Sequence, residues 1–512
     1  MNENKVKTLL AYEPNNAVPA AWGFLTEKTG SARRDDLKFR EYFKIFLDPK
    51  ELQRRQDRDP HNTPRSMDEV ETWYEDYLRC LYNHISYQFS PILVGNPWEL
   101  ARIEFVFSVP TTWTDMLVVE RFRSIIRRAG FASHKFHSLQ IGLTEAEAAA
   151  VHVSQEESGL FRSGDVMLTC DAGGGTTDLS VLRVKTGHDA ALELEQIDVV
   201  NGRAIGSVAI DADFAKLVGD RLIGAHRTLS MNTEESDLVE RGWDVSFSQE
   251  YQSMKCEFGA PLTENLSTFV CPLPWLDRSY RNELFGIWSQ EIHFTREDFR
   301  AIFDKQIQKL FSHIDNQILQ IRQKSPDTTI RYLILSGGLG NSAYVQQQLI
   351  ARYVKAGGHG SPMTVRVAPD PQLAVCKGLV EDRLQHLISG RTTLTTRICR
   401  ESYGVLCVVP VNPINKSIYQ DAETFTDLND GKTYYHSVIK WLIKKGEPIT
   451  AETKLSSGFF RNMTSKDVNQ PYNVVMFVSK AEAHHLPEIL KADAGKSCIM
   501  WWDQWVAWLT SS

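Results

Sequence analysis

The stretch Asp171-Ala-Gly-Gly-Gly-Thr-Thr-Asp178 lies between two short apolar runs, VMLTC (166–170) and LSVLRV (179–184). Both runs have the length and composition of buried β-strands, so the sequence predicts a strand, a tight glycine turn and a second strand. Consecutive amides in such a turn can form an anion site, to which threonine hydroxyls add donors. The two aspartates would repel a bare phosphate and therefore favour a nucleotide that carries Mg²⁺. A glycine-rich turn with solvated acids is the alternative.

A second glycine loop, Ser336-Gly-Gly-Leu-Gly-Asn341, lies within YLILSGGLGNSAYVQQQLI (332–350). The apolar run before it predicts a strand and the residues after it predict a helix. Backbone amides at the start of a helix favour an anion. The spacing of the glycines does not fit G-x-G-x-x-G, so the dinucleotide-binding fingerprint fails.

Other segments before residue 385 also alternate between strand-like and helix-like patterns. A buried strand is predicted at 103–110, and the helix after it has apolar residues at helical spacing until Gly130. A further helix is predicted over 66–90. A long helix begins at Thr295-Arg-Glu-Asp, which resembles a capping box. This alternation predicts an α/β fold.

The chain changes character near residue 390. The segment HLISGRTTLTT (386–396) is polar and rich in threonine, and it is followed by the β-leaning runs SYGVLCVVPV, HSVIKWLI and YNVVMFVS. The predicted organisation is therefore an α/β body over residues 1–385, a linker over 386–396 and a smaller β-rich unit over 397–512.

Composition excludes several classes of protein. The net charge of −7 provides no basic field for sequence-independent nucleic-acid binding, and no apolar run approaches the length of a membrane span. The eight cysteines form no C-x-x-C pair, which argues against a structural zinc site or a disulfide framework. We find no secretory signal pattern either. These features predict a cytoplasmic protein with neither nucleic acid nor membrane as a partner.

The motifs and their order resemble the actin, hexokinase and heat-shock-protein-70 superfamily, and most closely its heat-shock-70 branch. DAGGGTTDLSVL is similar to the second phosphate motif of that family, and LILSGGLGNSAYVQQQL is similar to its adenosine motif. LTEAEAAAVHV (143–153), TREDFRAIF (295–303) and APDPQLAVCKG (368–378) resemble further elements in the same order. The resemblance runs from about residue 18 to 385 and implies the two-lobed actin-like ATPase fold, which is ribonuclease H-like.

The resemblance also implies ATP or ADP with Mg²⁺ as cofactors. Asp171 and Asp178 would bind the magnesium ion through water, and Asp171 would orient an attacking water with the help of Asp178. The residues implied to hold the β- and γ-phosphates are Gly173, Gly174, Gly175, Thr176 and Thr177. The residues implied to contact the adenosine are Lys255, Gly337, Gly338, Gly340, Asn341 and Asp370.

Glu145 matches the glutamate that the family uses toward metal-bound water, which would make it a third catalytic residue. The sequence allows a simpler explanation. Thr144 and Glu147 have the spacing of a helix capping box, in which case Glu145 would only face the helix dipole. Both explanations stay open at this point.

The chain departs from the family pattern in three places. Gln252 and Cys256 stand where the family usually has glutamate and an arginine that stacks on adenine. No D-x-G-T-T motif is found, and residues 12–24 resemble the segment that normally follows it. Lys44 is a candidate for the catalytic lysine, although a surface position on an amphipathic helix is favoured for it. We therefore expect weak or absent ATP hydrolysis.

The C-terminal runs SYGVLCVVPV and WLIKKGEPITAETKL resemble the first strands of a peptide-binding β domain, which suggests an unfolded or peptide client. The predicted linker lacks the family's acidic and leucine-containing pattern, so a conventional coupled chaperone cycle is disfavoured. A sugar or metabolite kinase would need a catalytic base for which no motif is found. The favoured function is an ATP-binding, heat-shock-70-like protein, with turnover left open. An interaction protein on a decayed nucleotide site is the alternative.

Overall fold

The computed structural model describes residues 5–29, 37–58, 63–93, 95–113, 115–185, 192–227, 235–355, 363–428, 430–450, 452–459, 474–490 and 499–502. The chain divides into two compact units. The first contains Met1–Glu193 and Val200–Thr393, and the second contains Leu194–Val199 and Leu394–Ser512. No helix among the described residues is long and apolar enough to span a bilayer.

Strands and helices alternate along most of the chain. The strands are β1 Leu9–Tyr12, β2 Pro19–Trp22, β3 Lys38–Glu41, β4 Ile103–Val109, β5 His137–Thr144, β6 Val166–Ala172, β7 Thr177–Val184, β8 Leu194–Gln196, β9 Asn201–Arg203, β10 Thr268–Pro272, β11 Arg281–Asn282, β12 Ile287–Trp288, β13 Glu291–Thr295, β14 Ile330–Ser336, β15 Thr364–Val367, β16 Leu394–Ile398, β17 Ser402–Pro410, β18 Thr424–Thr426, β19 Thr433–Ile443, β20 Pro448–Thr450, β21 Val474–Ser479 and β22 Ile499–Trp502. The helices are α1 Phe43–Phe46, α2 Pro49–Arg58, α3 Met67–Phe89, α4 Met116–Arg128, α5 Glu145–Glu156, α6 Ser207–Arg227, α7 Glu235–Ser246, α8 Gln249–Glu257, α9 Arg296–Lys324, α10 Gly337–Gly340, α11 Ala343–Ile350 and α12 Ala374–Ser389.

The glycine stretch sits in the central sheet of the first unit. In this sheet β6 pairs in parallel with β14 and antiparallel with β7, and β9 pairs with the other edge of β7. All seven residues of β6 are buried, because protein covers both faces of the sheet there. The register places Asp171 opposite Asp178 and beside Ser336. The predicted strand, glycine turn and strand are therefore confirmed.

A second layer of the first unit supplies the opposite side of the site. Strands β4 and β5 run parallel, and β2, β1 and β3 form an antiparallel sheet. Between these strands and helices α3 and α4 lies an aromatic core in which Tyr74 stacks on Phe122 and Phe105 meets Phe131 edge to face. Helix α4 ends as predicted, with Gly130 at a positive φ of 110°.

The remaining helices of the first unit follow the predicted pattern. Helix α9 begins with a capping box in which the Thr295 and Asp298 side chains each bond to the other residue's backbone N–H. Its apolar face packs against α6 and α8, where Phe214 stacks on Tyr251 at a centroid distance of 3.8 Å and also contacts Phe299. The second glycine loop forms the short helix α10 between strand β14 and helix α11.

The second unit is rich in β-structure, as its sequence predicts. Strands β18, β19, β17, β21 and β22 form an antiparallel sheet in that order. A smaller group consists of β8, β16 and β20. The segment predicted as a linker is more regular than its composition indicates, because α12 continues to Ser389 and β16 begins at Leu394, which is buried.

Candidate functional site

The turn between β6 and β7 lines a cleft. Gly173 N–H donates to Thr176 O at 2.9 Å and closes the turn. The carbonyls of Gly173 and Gly174 accept from the N–H groups of Ser207 and Val208, at 3.2 and 2.9 Å, at the start of α6. Within the described chain, the N–H groups of Gly174 and Gly175 have no acceptor. Two amide donors are thus left for an anion in the cleft.

Two glycines lie in close contact with their neighbours, and at Gly206 the neighbour is backbone, so only glycine fits there. A Cβ on Gly175 would lie 2.7 Å from Ile45 Cδ1, and a Cβ on Gly206 would overlap the carbonyl of Gly174. The turn therefore packs directly on α1 from one side and on the start of α6 from the other. The sequence analysis did not single out Gly206, because it lies outside the glycine stretch.

Asp178 is fully buried and holds two parts of the unit together. Its Oδ1 accepts hydrogen bonds from the N–H of Thr111, at 2.9 Å, and from the Thr111 hydroxyl, while Oδ2 accepts from the Thr176 hydroxyl at 3.0 Å. Thr111 follows β4, so Asp178 joins the end of β4 to the glycine turn. Burial and the neighbouring Glu145 carboxylate raise the pKa of Asp178. With three donors already bound, Asp178 is held in place as a structural acceptor.

Asp171 lies beside the second glycine loop. Its Oδ1 accepts from the Ser336 hydroxyl at 2.8 Å, and only 6% of the residue is exposed. Burial and the Glu145 carboxylate raise the pKa of Asp171 to about 6. Gly337 is needed here, because a Cβ at this position would lie 2.7 Å from Asp171 Oδ1 and its φ is +80°. Asp171 lines the cleft.

Lys44 and Glu145 form an ion pair in the cleft, with Nζ 2.6 Å from Oε1. Burial opposes the charge of Lys44, but the Glu145 carboxylate and other neighbours outweigh it and the net pKa of Lys44 is raised. The Lys44 side chain is 40% exposed and lines the cleft, so a surface position remains compatible with the structure and a catalytic role stays a prediction. Lys44 lies on the short helix α1, and the buried Phe43 beside it anchors this helix so that the ammonium faces α5.

The capping box expected next to Glu145 is present, and the role of Glu145 toward metal-bound water stays a prediction. Thr144 and Glu147 do form the capping box of α5, in which Glu147 N–H donates to Thr144 Oγ1 and Thr144 N–H donates to Glu147 Oε2. The capped helix therefore starts at a fixed point, and Glu145, its first residue, projects into the cleft toward Lys44.

The cleft has a volume of about 3490 Å³. Its described lining includes the following residues from the predicted set: Glu145, Asp171, Gly173, Gly174, Gly175, Thr176 and Gly337. Asp178 and Thr177 lie behind this lining, where the Thr177 hydroxyl donates to Ile205 O at 2.8 Å. The phosphate side of the predicted site is therefore assembled in one place.

The predicted adenosine side is less complete. Lys255 donates to Asp211 Oδ1 at 2.8 Å, and Asp370 forms an ion pair with Lys377 at 2.6 Å. Among the described residues, Lys255, Gly338, Gly340, Asn341 and Asp370 lie outside the cleft lining. Gln252 and Cys256, at the positions that depart from the family, do line it.

The comparisons with known proteins bear on both units. Residues 397–498 match a domain of unknown function, DUF8568. The chain is 24% identical over 239 residues to human heat shock 70 kDa protein 12A, an alignment that covers 43% of this chain and 32% of that protein. The mouse protein of the same name is 24% identical over 271 residues, an alignment that covers 49% of this chain and 36% of that protein. The chain thus spans about a third of the length of the curated relatives it matches.

Solved structures were also compared. MreB5 of Spiroplasma citri bound to ADP gives a TM-score of 0.45 and 13% identity, covering 75% of this chain and 91% of that one. The same protein bound to AMPPNP gives a TM-score of 0.43 and 14% identity, and the match covers 75% of this chain and 90% of that one. Taken with the order of the sequence motifs, the match to heat shock 70 kDa protein 12A confirms the resemblance: the chain is similar to the heat-shock-70-like proteins of the actin-like ATPase superfamily.

Proposed function

We propose that the cleft binds ATP and ADP together with Mg²⁺. The observation that carries the proposal is the glycine turn, whose Gly174 and Gly175 amides have no acceptor among the described residues and which lines the same cleft as Asp171 and Glu145. Two donors beside two carboxylates match a phosphate chain that arrives with its own cation. A bare anion would meet the carboxylates and be repelled.

The side chains at the turn fit a magnesium ion. Burial and mutual repulsion raise the pKa of Asp171 and of Asp178, so additional positive charge would stabilise their ionised forms. Lys44 supplies one positive charge and is paired with Glu145. Because Asp178 already accepts three hydrogen bonds, Asp171 and Glu145 are the residues that would hold the hydrated ion. Bound magnesium would offset the negative charge of the phosphates.

We also propose that hydrolysis is weak or absent. Lys44 lines the cleft together with the turn, and its ammonium is 2.6 Å from Glu145. It would have to leave this ion pair in order to stabilise charge on a transferring phosphoryl group, and phosphoryl transfer depends on such positioned charges. Release of inorganic phosphate in a single-turnover experiment tests this. Turnover at a rate typical of working ATPases would overturn the proposal of weak hydrolysis and leave nucleotide binding intact.

Titration calorimetry of the purified chain with ATP and ADP, with and without Mg²⁺, tests nucleotide binding. The matched variants are Asp171→Asn and Asp213→Asn, since Asp213 lies outside the cleft lining and pairs with the exposed Lys305 at 3.3 Å. Loss of a charge-assisted contact of about 1.5–3 kcal/mol would weaken binding by about 10-fold or more in Asp171→Asn and remove its dependence on magnesium. Asp213→Asn should bind as the wild type does.

Absence of binding by well-folded wild-type protein would refute the proposal and would favour the interaction-protein alternative. A client of the β-rich unit stays a prediction. Similarity to a domain of unknown function assigns no ligand to residues 397–498.

A further inference from the structure

A second cluster of charged side chains lies behind the cleft, where helices α5 and α12 pack together. His152 and Glu156 lie four positions apart on α5, so they share one face of the helix. Glu381 on α12 faces them, with Oε1 2.9 Å from His152 Nδ1. One ligand atom from each of the three residues can be chosen so that all lie within 4.8 Å of one another.

Two polar atoms of this cluster lack the partners that burial normally requires. His152 is fully buried, and its Nε2 has no hydrogen-bond partner within the described chain. Glu381 Oε2 is also inaccessible to solvent, and no described donor reaches it. A buried carboxylate oxygen without a donor is costly, because nothing replaces the water that it gives up on folding. A cation held by His152 Nδ1 and both oxygens of the Glu381 carboxylate would remove that cost at Oε2.

The local charge balance favours a divalent cation. Lys377, on α12, interacts with Glu156 and Glu381, and its Nζ is engaged by Asp370 at 2.6 Å. The hydrogen bond to Asp370 is the largest cause of the raised pKa of Lys377, and the carboxylates of Glu156 and Glu381 raise it further. The groups that face the site from α5 and α12 are thus Glu156, Glu381 and the Lys377–Asp370 pair. Negative charge therefore exceeds positive charge among these groups.

The ligand set selects the class of metal. Zinc binds imidazole nitrogen at about 2.0–2.1 Å and carboxylate oxygen at about 2.0–2.2 Å, so two ligand atoms of one ion can lie at most about 4.4 Å apart. His152 Nδ1 and Glu381 Oε1 are 2.9 Å apart, which is already within this limit. The Glu156 side chain is exposed and can rotate to bring its carboxylate within the same limit. Magnesium and calcium prefer sites made only of oxygen, whereas imidazole favours zinc and its transition-metal neighbours.

We infer that His152, Glu156 and Glu381 form a binding site for a first-row transition-metal ion, most simply Zn²⁺, that ties α5 to α12. The two helices are already in direct contact, since a Cβ on Gly378 would overlap the carbonyl of Ala148. Helix α5 starts in the cleft at Glu145, about 10 Å along the helix from His152. An ion at this position would therefore fix the helix that presents Glu145.

Thermal unfolding and titration calorimetry of chelator-treated protein with Zn²⁺ test the inference directly, without nucleotide. We expect one site whose occupancy raises the unfolding temperature. Glu156→Gln, at an exposed position, should weaken zinc binding at least tenfold, as should Glu381→Gln. Glu157→Gln, one residue further along the same helix end, should bind zinc as the wild type does.

Visible absorption of bound Co²⁺ provides a second readout on folded wild-type protein, and His152→Gln should change that spectrum. An equal response to Zn²⁺ in wild type and Glu156→Gln would overturn the site, because the ion would then bind elsewhere among the histidines and cysteines. No response in the wild type would also overturn it. Stabilisation by Mg²⁺ equal to that by Zn²⁺ would overturn the assignment to transition metals.

Discussion

Asp171→Asn should change the pH dependence of stability in a direction that the buried carboxylates fix. Burial and Glu145 raise the pKa of Asp171 from an ordinary value of 3.8 to about 6 in the folded protein. A carboxyl whose pKa is higher in the folded than in the unfolded state stabilises the protein while it is protonated. That stability is fully present below the pKa that Asp171 has in the unfolded chain, and it is lost as the pH rises through the pKa of Asp171 in the folded protein. The wild type should therefore lose stability between about pH 4 and pH 7.

The size of the effect follows from the same two values. One pKa unit corresponds to about 1.4 kcal/mol, so the difference of roughly two units costs about 3 kcal/mol above pH 7. Asparagine keeps the acceptor for the Ser336 hydroxyl and carries no charge. The free energy of unfolding of Asp171→Asn minus that of the wild type should therefore rise by about 3 kcal/mol from pH 4 to pH 8, in protein free of nucleotide and metal.

Urea unfolding at several pH values, followed by hydrogen exchange of the β6 amides, measures this difference for the first unit by itself. Lys44→Gln is a control in which the pH dependence of stability should change in the opposite direction. The Lys44 charge lowers the pKa of Asp171, so its removal should steepen the loss of stability with pH. A difference between Asp171→Asn and wild type that stays constant from pH 4 to pH 8, or that falls, would refute the electrostatic account of the site.

Three further predictions concern the turn, the ion pair and a helix start. Gly206→Ala should abolish nucleotide binding in calorimetry, because its Cβ would displace the Gly174 carbonyl; Gly219→Ala, on α6 and outside the cleft lining, should bind normally, because its Cβ would meet its nearest neighbour at an ordinary 3.5 Å. Lys44→Gln should lower ATP affinity by about tenfold through loss of one positive charge near the phosphates, and unchanged affinity would place the phosphates elsewhere. Thr295→Ala should cost about 1 kcal/mol in chemical denaturation by removing the α9 cap, with nucleotide affinity unchanged.

Local parts of the fold could be predicted from the sequence because each depends on neighbouring residues. The β6–turn–β7 hairpin, the α9 capping box and the end of α4 at Gly130 follow from apolar runs, cap residues and glycine positions. The two glycine loops indicated the superfamily only together with the further motifs that occur in the same order. Composition was less informative for residues 386–396, where a polar, threonine-rich stretch ends a helix and begins a buried strand.

The partners of the site carboxylates could not be predicted, because they come from distant parts of the chain. Lys44 and Glu145 are separated by 101 positions, and Asp178 and Thr111 by 67. No local pattern distinguishes a lysine that faces a cleft from one that faces water. The resemblance implied a ribose contact for Lys255, which stays a prediction, and its ion pair with Asp211, 44 positions away, could not be predicted from the sequence either.

The three hydrogen bonds to Asp178 have a consequence for any survey of variants at this site. Since Asp178 joins the end of β4 to the glycine turn, its replacement would lower the amount of folded protein before any ligand is added. Replacement of Asp171, whose polar partner is a single serine hydroxyl, would leave folded protein with an altered ligand response. A screen scored only by cellular activity would rank the two aspartates alike, whereas one scored by abundance would separate them.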